Sequence, residues 1–294
     1  MGEKTLEQYL SDTNIFLIHK GLGSLVLLCL ALVSGILLVY AQAQRHGYSL
    51  SGNFFTQDNQ AVIVRTTMFV ASFVIAAVCA YQPDASTLIS AQNAVISIVF
   101  AVIALAGSFL VNDKIILRKI DNTKAVYGNP TIGVAVAILE STTFLATALI
   151  FVGGMANPKF DLIFNAFWFV VGQLILVTIA KIYSRVASTI YDKAVAGSAP
   201  CALSVAGFLL SGGMVVAAAI VGGFDGWAND IINVAKVVGA WLVLMVFVRA
   251  LSPFIVNGKQ LSDELSEDNN WSLGLLDFAI TVVPTTIYLF RFVL

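Results

Sequence analysis

Charge is what this sequence has least of. Only 11% of its 294 residues are Asp, Glu, Lys or Arg, against roughly a quarter in a soluble domain. The 16 Lys and Arg nearly balance the 17 Asp and Glu, for a net charge of -1. No basic excess therefore points to a nucleic-acid partner. Cysteine is scarce as well. Cys29, Cys79 and Cys201 are widely separated, in or beside apolar runs and without CxxC spacing, which excludes a disulfide framework and a zinc-finger arrangement. With His19 and His46 as the only imidazoles, in different segments, neither a metal site nor a cofactor is expected. There is no P-loop, no strand-to-helix GxGxxG, no HExxH and no Gly-x-Ser-x-Gly elbow. No catalytic residue can be assigned on that basis, and enzymatic activity is not expected.

What the chain has in abundance is apolar length: 59% hydrophobic residues and a mean hydropathy of +0.89. A helix needs about 20 mostly apolar residues to cross the hydrocarbon core. Eight runs qualify, at 23–42, 61–81, 91–112, 131–153, 162–183, 201–223, 231–250 and 273–293. None alternates with period two, which disfavours a transmembrane barrel. The fold class expected is all-α, a polytopic transmembrane helical bundle. Ala41-Gln42-Ala43 has the form of a cleavage site, but the stretch before the first run is long and mixed in charge (Glu3, Lys4, Glu7, Asp12, Lys20). That favours an uncleaved helix over a signal peptide. Residues 1–22 form an extracytoplasmic segment, either a short interfacial helix or a frayed end.

The connections alternate. They are long at 43–60, 113–130, 184–200 and 251–272, and short at 82–90, 154–161 and 224–230, which reads as four tandem hairpins. Val136-Ala137 followed by Val152-Gly153-Gly154 matches Val205-Ala206 followed by Val221-Gly222-Gly223 at an offset of 69, and Pro130 and Pro200 precede the matching helices. Proline is harmless there, because the first turn leaves its N–H unpaired anyway. A duplicated unit follows, with a first four-helix repeat at 23–153 and a second at 154–294. The long-loop side carries 10 Lys and Arg, namely Arg45, Lys114, Arg118, Lys119, Lys124, Lys181, Arg185, Lys193, Arg249 and Lys259, against Lys4, Lys20, Lys159 and Arg291 opposite. The positive-inside bias places the long loops in the cytoplasm and both termini outside. Loop 113–130 is basic and suits an anionic lipid surface. Loop 251–272, with Asp263, Glu264, Glu267 and Asp268 against Lys259, could dock a basic cytoplasmic protein or be a solvated acidic loop. A homo-oligomer is left open.

Ionisable groups inside a membrane are costly and are functional candidates by default. Arg249, Lys181 and Arg291 sit at span ends, which leaves Arg65, Glu140, Lys236 and Asp277. From the rise per residue, Arg65 and Asp277 lie about 6 Å inside the cytoplasmic edge, Glu140 about 13 Å inside, and Lys236 about 8 Å below the outer edge. On those depths Arg65 and Asp277 can pair if the first and last hairpins are neighbours, or each can stand at headgroup level, the arginine by snorkelling. Lys236 reaches toward Glu140 only with a downward-directed side chain. Glu140 shares a helical face with Gly133, Thr143 and Thr147. Desolvation penalises a carboxylate at that depth, which suits a proton- or cation-handling group or a single interhelical hydrogen bond. Further polar groups of the crevice are Asn165, Gln173, Asn233, Thr281 and Thr285, and Pro284 interrupts the last span. Gly207 and Ser211 favour close helix contact in the sixth.

The hairpin pattern and the stretch Gly128-Asn129-Pro130-Thr131-Ile132-Gly133-Val134-Ala135-Val136-Ala137 resemble the YjfL-like family (DUF350) of bacterial inner-membrane proteins of unknown function, in doubled form. The resemblance implies a multi-pass protein of the bacterial cytoplasmic membrane and assigns no activity. Glu140 departs from it, standing where an apolar or small residue is expected, as at Leu209 in the second copy. Two functions follow as expectations. One is an ion or proton channel, or an ion-coupled transporter, with a crevice around Glu140. The other is a non-transporting scaffold that binds membrane lipid or a cytoplasmic partner through loops 113–130 and 251–272.

Overall fold

The computed structural model describes residues 6–45, 47, 60–79, 81, 87–116, 122–128, 130–155, 162–221, 226–255, 264–265 and 270–293. Most of the acidic loop, including Lys259, Asp263, Glu267 and Asp268, lies outside the described residues, as do Arg118, Lys119, Asn129 and Lys159. Among the described residues ten α-helices are delimited and there is no strand: α1 (Leu6–Arg45), α2 (Gln60–Cys79), α3 (Thr87–Val111), α4 (Asn122–Gly128), α5 (Pro130–Met155), α6 (Leu162–Val186), α7 (Ser188–Val195), α8 (Ala199–Ile220), α9 (Trp227–Ile255) and α10 (Trp271–Phe292). A π turn at Asn112–Ile116 follows α3. All except α4 and α7 are long and apolar enough to cross a bilayer, eight in total. The chain is a multi-pass helical membrane protein.

The spans sort into an inner row and an outer layer. In the row, α2 packs on α5, α5 on α8, and α8 on α10. These helices run parallel, because early residues meet early ones and late meet late. Ala61 lies against Gly133 and Phe69 against Phe144. Pro200 lies against Gly274 and Ser211 against Thr281. Parallel neighbours require an out-and-back hairpin between them, and the returning helices form the outer layer. The helix α6 runs antiparallel to α8, with Tyr183 beside Ser204 and Gly172 beside Ile220.

Small residues decide which helices go inside. Between transmembrane helices there is no hydrophobic drive, so association depends on close packing. A Cβ on Gly213 would lie 2.5 Å from the Ala146 Cβ, and one on Gly153 would lie 2.6 Å from the Ala217 carbonyl oxygen. The backbones of α5 and α8 touch at those points. Accordingly 78% of the span in α5 and 67% of that in α8 is buried, against 44% in α2 and 28% in α10 at the two ends of the row and 17% in α9. The outer helices spend large apolar side chains on the lipid face instead: Val243, Val246 and Phe247 on α9, Leu25, Val33 and Leu37 on α1.

One expectation changes. The N-terminal segment is neither a separate interfacial helix nor a frayed end from Leu6 onward, since α1 is one continuous helix of 40 residues. No proline interrupts 6–22, and the single glycine, Gly21, is tolerated within the helix. Within the basic loop 113–130 a short helix, α4, is described. This helix buries Asn122, Ala125 and Val126 against α5, leaving Lys124 exposed.

Candidate functional site: two buried charge pairs

The first centre joins neighbours in the inner row. Arg65 of α2 and Glu140 of α5 are 4% and 0% exposed, with Nε 2.6 Å from Oε2. The arginine's Nη2 donates to Oε1 at 3.4 Å. The guanidinium carbon also lies 5.5 Å from the Phe109 ring centre and 5.6 Å from that of Tyr127, within cation–π range of both. Phe109 continues into an aromatic cluster with Phe69 and Phe144, at centroid distances of 5.1 and 4.6 Å. An ion pair this dry persists because neither partner has water to turn to, and removing one would strand the other.

The second centre gathers four helices around Asp277 of α10, which is fully buried. Arg249 of α9 forms a salt bridge with Oδ1, and Ser204 of α8 donates to Oδ2. The Tyr183 oxygen on α6 stands 3.0 Å from Ser204 Oγ. Serine has one hydroxyl proton, already given to Asp277, so the tyrosine is the donor to serine. The result is a directed relay: Tyr183 to Ser204 to Asp277, closed by Arg249. Arg249 is 30% exposed, so this centre reaches the surface whereas the first does not.

The observed pairing corrects the depth argument. Arg65 meets Glu140 rather than Asp277. Depths counted from each helix's own start assume level starts, yet Ala61, second in α2, sits against Gly133, fourth in α5. The long arginine side chain spans the rest. Lys236 does not approach Glu140. It lies exposed on α9 with Asn233, one turn away, on the lipid-facing side. Its Cα–Cβ bond tilts toward the helix N-terminus, away from the level of the charge pairs, and there it can snorkel.

The other polar residues are divided among separate contacts. Thr143 donates to the Glu140 carbonyl rather than the carboxylate, at 2.8 Å. Thr147 donates to Gln173 Oε1 at 3.4 Å, joining α5 to α6. Asn165 is buried, and its Oδ1 has no hydrogen-bond partner among the described residues. Asp277, Thr281 and Thr285 share the buried face of α10. Thr281 and Thr285 bond back along their own helix, and the Trp241 indole N–H donates to Thr285 Oγ1 at 2.9 Å.

Sequence reading missed Arg249, Tyr183 and Ser204. The signal for Arg249 was present: it stands at the same end of the same hairpin as Asp277, which the depth argument permits. Tyr183 and Ser204 gave no signal, because a hydroxyl near a span end is ordinary. Among the described residues no group of three or more His, Cys, Asp or Glu could hold a metal. Residues 161–288 match the family described as Domain of Unknown Function (DUF350). That segment contains the Asp277 centre and not the Arg65–Glu140 centre. No curated protein and no solved structure matches the chain.

Proposed function

We propose that this membrane protein handles ions, as a proton or cation channel or an ion-coupled transporter of the bacterial cytoplasmic membrane with both termini outside. Glu140 and Asp277 are the groups that exchange an arginine for a proton or a cation. One observation carries the reading: two span carboxylates are both 0% exposed, and each is held by an arginine from another helix. Apolar side chains would fill those positions at far lower desolvation cost. A carboxylate–guanidinium pair has a use that leucine lacks, because protonating the acid, or giving it a metal cation, releases the arginine. The pair can then alternate between an arginine-bound and a proton- or cation-bound carboxylate, provided the released guanidinium reaches water, as Arg249, 30% exposed, already does.

Flux of H+, Na+ and K+ into vesicles holding the purified chain tests this. Wild-type protein should conduct one of them. Asp277→Asn, and the double variant Arg65→Met with Glu140→Leu, should lower that flux at least tenfold while the protein stays helical and monodisperse. Flux unchanged in both variants removes the carboxylates from the mechanism. Absence of any wild-type flux favours the scaffold reading, in which the charge pairs only fix helix positions.

A further inference from the structure

A cavity of about 530 Å³ opens where α3 and α6 end on the side of the long loops. Its lining includes Lys114 from the π turn, Lys181, Ser184 and Arg185 from the last turns of α6, and Tyr191 and Asp192 from α7. Three cations thus face one carboxylate. Lys114, Lys181 and Arg185 are exposed, and among the described residues no ion pair engages any of them. The walls are tied together, since the Tyr191 hydroxyl donates to the Ile116 carbonyl and α6 also contacts the π turn. Cations near helix C-termini do gain from the helix dipole, but that gain does not require three of them around one cavity.

We infer that this cavity binds the phosphate of an anionic phospholipid headgroup, independently of any ion handling at the buried pairs. The surroundings favour a lipid over a free anion. The helices that rise from the cavity face lipid: Ile103 and Leu110 on α3, and Leu174 and Ile182 on α6, are 59%, 65%, 62% and 41% exposed. A phosphodiester held by Lys181 and Arg185 would have acyl chains leading onto those faces. Basic pockets between transmembrane helices on the cytoplasmic side recognise lipid phosphates through this chemistry, and Ser184 supplies a neutral donor beside the charges.

Native mass spectrometry of the full chain, released from micelles containing equal cardiolipin and phosphatidylcholine, tests the proposal. Wild-type protein should retain cardiolipin at least tenfold over phosphatidylcholine, and no preference overturns the site. The triple variant Lys114→Gln, Lys181→Gln, Arg185→Gln should lose the preference. The charge-matched variant Lys124→Gln, Lys193→Gln, Lys259→Gln should keep it, and equal loss in both means diffuse attraction rather than a site. Inorganic phosphate at equal concentration should not displace the lipid. Full displacement assigns the cavity to free phosphate and overturns the lipid reading. The wild-type preference stands as a test even where the triple variant does not fold.

Discussion

Arg65 Nε stands 2.6 Å from Glu140 Oε2, with neither side chain more than 4% exposed, and the contact spans the parallel α2–α5 interface. Losing one partner of such a pair costs about 3–5 kcal/mol, whereas replacing both with apolar residues of similar volume is often neutral. Glu140→Gln should therefore lower the melting temperature in detergent sharply, and Arg65→Met with Glu140→Leu should recover most of it. Equal losses in the single and double variants would show that shape, rather than charge pairing, governs this contact.

Gly213 and Gly107 should answer oppositely to alanine. At Gly213 the new methyl would lie 2.5 Å from the Ala146 Cβ and 2.8 Å from its Cα, whereas at Gly107 nothing lies within 4 Å. Overpacking of a close contact costs about 1–3 kcal/mol. In an open helical position the same change is neutral or gains up to about 1 kcal/mol. Unfolding in detergent, compared across the two variants, measures the difference.

Thr285→Val should leave the buried Trp241 indole N–H without its acceptor, which now stands at 2.9 Å. Interhelical hydrogen bonds in membranes contribute about 0.6 kcal/mol and rarely more than about 1.7. A loss in that range, with a shift in tryptophan emission, is expected. Stability equal to that of the parent would mean that the indole finds another acceptor.

Orientation is open to labelling. With Cys29, Cys79 and Cys201 replaced by Ser, a single cysteine introduced at Lys124 or Lys193 should react with an impermeant maleimide only after the membrane is opened. One introduced at Trp227 should react in intact spheroplasts. The reverse pattern would invert the side assigned to the basic cavity and to every long loop.

Glu140 was legible as a buried carboxylate because a charge at the middle of a long apolar run has few places to go, whereas Asp277, nearer its span's edge, left a headgroup-level position equally open. Arg249 was passed over because its position at a span end offers snorkelling as a sufficient explanation. Lys236 shows the converse: its depth made it a candidate, yet it faces outward, and depth carries no information about azimuth around the helix.

The amino-acid sequence alone determined that the chain has eight paired runs long and apolar enough to cross a bilayer, each matched by a helix among the described residues, since that capacity depends on the length of an apolar segment, a property read along one dimension. Only the tertiary structure decided which helices stand inside and which charges meet. Those outcomes depend on backbone contact at Gly153 and Gly213, and on the stagger between α2 and α5. Both are relations between segments more than 60 residues apart, settled when the helices pack.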